Sequence, residues 1–306
     1  MKICFLFPGQ GAQFPGMGRD FYETSKAVRD LFELASDSSK TDLKRVIFEG
    51  SEEELKQTRN TQLSIALIGA AAALSAREHG VVPAGCAGFS VGEWPALAEA
   101  GVVSLSDMFR LVGERGRLMD EAGRRSGGST MSAVLSLAPD AIEAAIKKAG
   151  LKQVWVANYN SPSQSVISGT EADVAAAEVA VKAAGAKRAI RLKVSGAFHS
   201  PIMAYARDGF AEAVSDVTFA DPRISLFSNV TGKAIASGAE AKKLAVDQIV
   251  SPVRWIDEEK AIVDAGFEQC LETGPGTVLA GLWKAAVAEI PCLACGTLDQ
   301  LTAISL

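Results

Sequence analysis

Histidine is scarce in this sequence: there are 2 in 306 residues, so a reaction that needs an imidazole as general base must use His79 or His199. Basic residues are not in excess either, because 31 Lys and Arg face 36 Asp and Glu, and the net charge is −5. No basic block is interleaved with aromatic residues, which make up 7% of the chain. These absences argue against nucleic-acid binding.

Long hydrophobic runs are also missing. The stretch IALIGAAAALSA at 65–76 and the N-terminal MKICFLFPG are both shorter than the roughly 20 residues of a membrane span, and the latter is too short for the core of a signal peptide. We therefore expect no membrane association and a cytoplasmic protein. With 48% hydrophobic residues, the chain can form one large domain with an insertion, or two domains.

Cysteines are few, scattered and odd in number, which favours a reducing compartment over a disulfide framework. They are Cys4, Cys86, Cys270, Cys292 and Cys295. The last two form a C-x-x-C pair, but no second pair and no nearby histidine completes a zinc site. CLACGTL at 292–298 is apolar enough for a buried terminal strand, and we expect no metal.

A serine between two glycines occurs in AGFSVGEWPAL at 87–97. G-x-S-x-G is typical of a nucleophile elbow, in which a sharp turn from strand to helix exposes the serine hydroxyl, and Gly88 and Gly92 leave room for that turn. The motif is short, however, and Ser90 as the N-cap of the following helix is an equally acceptable interpretation.

Helix and strand alternate through most of the chain, which predicts an α/β fold with a parallel sheet covered on both faces. Before the elbow we predict a strand over 2–7, a polar stretch with helical patches over 23–60 and a buried helix over 62–78. An amphipathic helix over 104–121 follows the elbow. From Ser200 the pattern resumes with strands at 224–227, 267–271 and near Leu293, helices at 200–214 and within 239–265, and a helix at 278–288.

The pattern differs between these parts, beginning at the polar stretch RRSGGST at 124–130. About seventy residues there have the order β-α-β-β-α-β, which is the ferredoxin-like arrangement. The predicted segments are 131–137, 140–148, 154–157, 165–168, 171–184 and 187–194. We predict a large α/β-hydrolase-like domain formed by 1–125 and 199–306, with a ferredoxin-like subdomain inserted at 126–198.

The two histidines have different settings. His79 lies at the predicted end of a helix, just before Gly80, where an imidazolium interacts favourably with the helix dipole. His199 lies in VSGAFHSPIM, on a loop where the two units should meet. It could be a surface residue, but it is the remaining candidate base for Ser90. No Asp or Glu is adjacent to it in sequence, so any third catalytic group must come from elsewhere in the fold.

The helix at 104–121 carries a cation on its apolar face. Arg115 recurs at helical spacing with Met108, Val112 and Met119, and the opposite face has self-paired charges, Arg110, Glu114, Arg117 and Glu121. A buried guanidinium needs an anion, and its planar fork suits a carboxylate. A structural ion pair, a side chain that reaches the surface, and a substrate carboxylate all remain open.

Together with these residues, ordered blocks over essentially the whole chain resemble the malonyl-CoA:acyl carrier protein transacylases. The blocks are FPGQGAQ at 7–13, GFSVGE at 88–93, RLVGERGRLM at 110–119, NYNSPSQSVISG at 158–169, GAFHSPIM at 196–203, SNVTG at 228–232, DQIVSPVRW at 247–255 and ETGPG at 272–276.

The resemblance implies roles for individual residues. Ser90 would be the acylated nucleophile, His199 its base and Arg115 the partner of the malonyl carboxylate. Backbone N–H groups of Gln10 and Val91 would form the oxyanion hole, and the main-chain carbonyl of Gln248 would orient the histidine. Phe198 in GAFH would restrict space beside the acyl α carbon and disfavour methylmalonyl groups.

The resemblance also implies a ping-pong transfer from malonyl-CoA to the phosphopantetheine thiol of an acyl carrier protein, for fatty acid biosynthesis, without metal or redox cofactor. We expect a monomer. One departure is Phe89, because the family usually has G-H-S-x-G, so hydrogen bonding around the elbow must differ. Three alternatives remain: a transacylase for a polyketide or other specialised carrier protein, a serine hydrolase or thioesterase, and a non-catalytic homologue that binds carrier protein.

Carrier proteins of such pathways are acidic, so a basic face on the small unit is a candidate docking surface. Its residues are Lys182, Lys187, Arg188, Arg191 and Lys193.

Overall fold

The computed structural model of the protein describes residues 1–287 and 289–304. Ala288, the predicted end of one helix, and residues 305–306 of the predicted large domain lie outside the described residues. No helix in the described part of the chain is both long and apolar enough to cross a lipid bilayer.

Two sheets are built from strands that we number in chain order. The strands are β1 (Ile3–Phe7), β2 (Gly85–Gly88), β3 (Ser129–Leu135), β4 (Val154–Ser161), β5 (Gln164–Thr170), β6 (Arg188–Arg191), β7 (Ser225–Leu226), β8 (Gln269–Glu272) and β9 (Cys292–Ala294).

The helices are numbered in the same way. They are α1 (Arg19–Thr24), α2 (Lys26–Ser39), α3 (Leu43–Phe48), α4 (Glu52–Lys56), α5 (Thr58–Glu78), α6 (Glu93–Glu99), α7 (Leu105–Arg125), α8 (Pro139–Lys148), α9 (Glu171–Ala183), α10 (Ala204–Ala213), α11 (Gly238–Asp247), α12 (Trp255–Asp264), α13 (Val278–Ala286) and α14 (Leu298–Thr302).

The larger sheet has the strand order β7-β2-β1-β8-β9, and every neighbouring pair is parallel. Its central strand reads ICFLF and is buried along its whole length, as expected when helices cover both faces. The carboxyl ends of β1 and β2 meet at one edge, and the loops after them carry Gln10 and Ser90. The predicted parallel sheet is therefore confirmed.

The smaller sheet is separate and antiparallel, with the order β4-β5-β3-β6. Its elements follow in the predicted order of strand, helix, strand, strand, helix and strand. Helices α8 and α9 pack on one face around Ile142, Ile167 and Val174. The last strand is shorter than the predicted 187–194. Strand β4 extends past the predicted 157 to Ser161, because its pairing with β5 continues to Gln164.

Two long helices differ from their predicted bounds for identifiable reasons. Helix α5 begins at Thr58 rather than at 62. Its first turn is polar but buried, with the Thr61 hydroxyl donating to the Leu55 carbonyl at 2.6 Å, so a search for apolar periodicity does not detect it. Helix α7 continues past 121 to Arg125, whose guanidinium lies 2.6 Å from the Glu121 carboxylate one turn earlier.

The segment after His199 also differs from a single predicted helix over 200–214. A 3₁₀ turn over Pro201–Met203 precedes α10. The prolyl nitrogen has no N–H to donate, which suits this first position.

Candidate active site

Ser90 lies in a sharp turn between β2 and α6. Its φ is +53°, in the left-handed region that non-glycine residues rarely occupy. A Cβ on Gly88 would lie 2.0 Å from the Gly92 carbonyl oxygen, and one on Gly92 would lie 2.1 Å from the Phe7 carbonyl oxygen. Both glycines are therefore required by close backbone approach. The N-cap of α6 is Gly92, so the interpretation of Ser90 as that cap is wrong.

His199 faces Ser90 across a short hydrogen bond. The Ser90 Oγ lies 2.7 Å from the His199 Nε2, and the Nδ1 lies 3.0 Å from the Gln248 carbonyl oxygen and 3.1 Å from that of Ser251. Carbonyls only accept, so the proton is on Nδ1 and Nε2 presents a lone pair to the serine hydroxyl. Two main-chain carbonyls thus occupy the position that an acidic side chain has in a Ser-His-Asp triad.

Burial and the nearby Arg115 charge lower the pKa of His199 to about 4, so the imidazole is neutral at pH 7. The residue also has a left-handed backbone, with φ +56°. Both members of the pair are therefore held in strained conformations, which persist only where the surroundings fix them.

The other histidine is elsewhere. His79 is exposed and is the C-cap residue of α5, with its Nδ1 2.8 Å from the Ser75 carbonyl oxygen. This is the helix-end position that the sequence predicts for it.

Arg115 is fully buried in α7 and points at the same place. Its Nη1 donates to the Gln62 Oε1 at 2.6 Å, and its Nη2 donates to the Gln248 Oε1 at 2.9 Å and approaches the Ser90 Oγ at 3.4 Å. Within the described residues the Nε has no acceptor and the guanidinium makes no ion pair. The interpretation of Arg115 as a side chain that reaches the surface is therefore wrong, and no structural ion pair forms among the described residues.

Burial lowers the pKa of Arg115 to about 10, so the group remains a cation at pH 7. The nearby carboxyl of Glu93 does not neutralise it fully, because burial raises the pKa of Glu93 to about 7. A buried cation with a free N–H is the electrostatic arrangement that an anionic ligand would complete.

A cavity of about 310 Å³ opens beside the Ser90–His199 pair. Gln10, Val91 and Phe198, all predicted site residues, lie in its wall. Both sheets contribute, because β3 and β5 supply Met131, Ala133 and Val166, and helix α13 supplies Leu279 and Leu282. The site is therefore a narrow, mostly apolar cleft between the two sheet regions.

Phe89 lies in the cavity wall and packs edge-on against Trp255, with ring centroids 5.5 Å apart. Its side chain belongs to an apolar cluster with residues of β1 and α12. The Ser90–His199 hydrogen bond forms beside it, so phenylalanine at this position is compatible with the pair.

Sequence reasoning missed two residues of this site. Gln62 was visible as a polar residue at the start of a buried apolar helix, and it is 2% exposed against the guanidinium. Asn229 lies in the block SNVTG without any assigned role, yet its Oδ1 accepts from the Ser90 N–H at 2.7 Å. Periodicity offered no signal for Asn229, because it lies in a loop.

Metal ligands do not converge within the described residues, where no group of three or more His, Cys, Asp or Glu side chains could hold an ion. All five cysteines are free. Cys292 begins β9 at the edge of the parallel sheet, so the predicted terminal strand is confirmed. The prediction that this strand is buried is wrong, because an edge strand is covered less and Leu293 is 39% exposed.

Comparisons of the sequence and of the structure with known proteins both find acyl transferases. The Acyl transferase domain family matches residues 4–297. The chain is 39% identical to the malonyl CoA-acyl carrier protein transacylase of Bacillus subtilis over 285 residues, 92% of this chain and 90% of that protein.

Two solved structures are also similar. An acyl carrier protein S-malonyltransferase from Vibrio cholerae is 35% identical with a TM-score of 0.95, and the match covers 100% of both chains. A malonyl-transacylase in complex with a holo type II polyketide synthase acyl-carrier protein is 36% identical with a TM-score of 0.94, covering 99% of this chain and 98% of that one. The chain belongs to the acyl transferase domain family.

Proposed function

We propose that this chain transfers the malonyl group from malonyl-CoA to the phosphopantetheine thiol of an acyl carrier protein. The observation that carries the proposal is the buried Arg115 guanidinium, which makes no ion pair among the described residues and lies 3.4 Å from the hydroxyl that His199 would activate. The relatives named as malonyl transferases support the same donor and acceptor.

The first half-reaction forms an ester. His199 Nε2 removes the Ser90 Oγ proton as the oxygen attacks the thioester carbonyl, and the Gln10 and Val91 N–H groups receive the developing oxyanion. The C–S bond then breaks, the imidazolium returns its proton to the departing CoA sulfur, and malonyl-Ser90 remains. The second half-reaction is the reverse, with the carrier-protein thiol as nucleophile. Electrons and protons balance at each step, so the proposed chemistry involves no redox cofactor, and none of its steps uses a metal.

Arg115 would bind the distal carboxylate of the malonyl group. Its free Nε and the remaining protons of its terminal nitrogens can form a bidentate pair, while Gln62 and Gln248 keep the guanidinium plane fixed. Phe198, 6% exposed in the cavity wall, would restrict branching at the acyl α carbon.

The acceptor protein has two candidate pathways. Fatty acid synthesis is the proposal that follows from the transacylase relatives. The solved malonyl-transacylase bound to a type II polyketide carrier protein favours the alternative, a specialised carrier protein. Comparing transfer rates to carrier proteins of the two kinds distinguishes them.

We also propose that the chain divides into an α/β-hydrolase-like part, 1–125 and 199–306, and a ferredoxin-like part, 126–198. The support is that all four antiparallel strands fall within the second range and all five parallel strands within the first. We propose a cytoplasmic monomer, for which light scattering of the purified protein tests the oligomeric state.

Intact-mass measurement tests the function. The protein is mixed separately with malonyl-, methylmalonyl- and acetyl-CoA, with Ser90→Ala as the control. We expect one malonyl adduct that the control lacks and that a holo carrier protein removes. An adduct that water removes as fast without carrier protein would identify a hydrolase. No adduct from a folded sample would favour the non-catalytic homologue.

A further inference from the structure

The backbone of the nucleophile is held by two side-chain carboxamides. The Ser90 N–H donates to the Asn229 Oδ1 at 2.7 Å, and the Ser90 carbonyl accepts from the Gln248 Nε2 at 3.1 Å. These contacts fix the two peptide groups on either side of a residue with φ +53°. Left-handed backbone is unfavourable for a non-glycine residue, so the conformation depends on contacts of this kind.

The orientation of the Asn229 amide is itself determined. Its Nδ2 donates to the Gly88 carbonyl at 2.6 Å and to the Glu258 Oε1 at 2.8 Å. If the amide were reversed, its NH₂ would face the Ser90 N–H and its oxygen would face two acceptors. One side chain therefore joins the residues before and at the nucleophile, and Glu258 selects the orientation that makes this possible.

The main chain of Asn229 is anchored as well. Its N–H donates to the Glu93 Oε1 at 3.2 Å, and the other oxygen of Glu93 accepts from the Gln248 side chain. All four side chains are at most 3% exposed. Water cannot replace these contacts without opening the core, so loss of the Asn229 carboxamide leaves the Ser90 N–H without an acceptor.

We propose that Asn229 is a positioning residue for the nucleophile, which holds Ser90 in its left-handed conformation so that Oγ points at His199, and that Glu258 orients the Asn229 amide. This inference rests on the proposed role of Ser90 as the acylated residue. Asn229 does not touch the substrate; it acts through the backbone of Ser90.

Glu258 accepts the hydrogen bond from the Asn229 Nδ2 through its Oε1. Burial and the neighbouring Glu93 raise the pKa of its carboxyl well above the usual range. A glutamine at this position keeps an oxygen that can accept from Asn229, whereas a leucine of similar size does not. Comparing Glu258→Gln with Glu258→Leu therefore separates the effect of losing the hydrogen bond from the effect of changed packing.

The experiment is a rapid-mixing measurement of malonyl-Ser90 formation, which gives both a rate constant and the fraction of molecules acylated. We expect Asn229→Ala to lower the rate constant on the order of 100-fold, the cost of a displaced reacting group, while the half-saturating malonyl-CoA concentration changes less than threefold. Asn60→Ala is the matched control, because Asn60 is also buried and donates to a backbone carbonyl, that of Glu54 at 2.9 Å.

The other variants extend the test. Glu258→Gln should stay within threefold of the wild-type rate constant, and Glu258→Leu should slow acylation in the same way as Asn229→Ala. An Asn229→Ala protein with fewer acylated molecules but a normal rate constant would show a merely structural role and overturn the proposal. So would a rate constant equal to that of Asn60→Ala. Failure of the wild type to acylate would instead refute the proposed function.

Discussion

The parallel-sheet region and the antiparallel-sheet region contribute to one cavity in different ways. The parallel region supplies Ser90, Arg115 and Gln248, which are joined by side-chain hydrogen bonds. The antiparallel region supplies apolar wall residues such as Met131 and Val166. His199 lies on the segment that leads from β6 back to α10. The parallel region thus fixes the groups that we propose to react, and the antiparallel region shapes the space above them.

Charge is also treated differently in the two regions. Around Ser90, burial raises the pKa of Glu93 to about 7, and the Arg115 cation makes no ion pair in the described part of the chain. On the antiparallel region, Arg191 is exposed and pairs with Glu171 and Glu178 at 2.6 and 2.9 Å. Exposed pairs contribute little free energy, whereas a buried unpaired cation selects for an anion. We therefore expect the buried charge to act in substrate selection and the exposed charges to act in recognition at the surface.

The largest effect should come from the residue between the regions. We expect His199→Ala to lower the acylation rate constant on the order of 10³-fold, because a positioned general base contributes about that factor. His79→Ala, the other histidine, is the control and should leave the rate unchanged. Rapid mixing with malonyl-CoA measures both. Equal rates for the two variants would remove His199 from the mechanism.

Arg115→Leu should give the next largest effect, and it should depend on the substrate. Loss of a hydrogen-bonded charge pair costs about 1.5–3 kcal/mol, so kcat/KM for malonyl-CoA should fall roughly 10- to 100-fold, and that for acetyl-CoA much less. Arg117→Leu is the matched control on the exposed face of the same helix, where Arg117 pairs with Glu114 and Glu121. Unchanged acyl selectivity in Arg115→Leu would contradict the anchor role.

The acylation rate should fall only at a pH well below the pKa of an ordinary histidine. Protonation of the His199 Nε2 removes the lone pair that accepts the serine proton, so the acylation rate falls as pH falls through the pKa of His199. That pKa is lowered to about 4, so the rate should remain level down to about pH 5, where an ordinary histidine would already be mostly protonated. Arg115→Leu removes a repelling charge and should move the acidic limb upward. A limb near pH 7 in the wild type would contradict the lowered pKa of His199.

The sequence predicted these two regions to different depths. The alternation of helices and strands predicted the parallel sheet and the order of elements around the antiparallel sheet. Both could be predicted because burial imposes a period of 3.6 residues on the apolar positions of helices and of 2 on those of strands. The same reasoning predicted that Arg115 lies on a buried helix face. Elimination of His79 left His199 as the candidate base for Ser90. The main-chain carbonyl of Gln248 at the His199 Nδ1 matches what the family resemblance implied.

What the sequence did not indicate is mostly polar and distant along the chain. The Ser90 N–H and Asn229 Oδ1 are 139 positions apart, and the Arg115 and Gln248 side chains are 133 apart. Hydrogen bonds between loops leave no periodic pattern, so they become visible only when topology brings the loops together. Helix starts that are polar and buried, such as Thr58, are missed for the same reason.

The smallest effect should come from the exposed basic residues of the antiparallel region. Lys187 and Arg188 are exposed at the start of β6, and among the described residues they form no ion pair, while the chain continues from β6 to Leu192 and Val194 in the cavity wall. An acidic carrier protein bound here would direct its thiol along that wall. We expect charge reversal of both residues to Glu to raise KM for the carrier protein severalfold and to leave kcat unchanged. The rise in KM should be larger at low salt.

Reversal of Lys26 and Lys40, exposed on and after α2, is the control. Equal effects of the two double variants, or an equal rise in KM for malonyl-CoA, would show that the antiparallel region does not recognise the carrier protein through these charges.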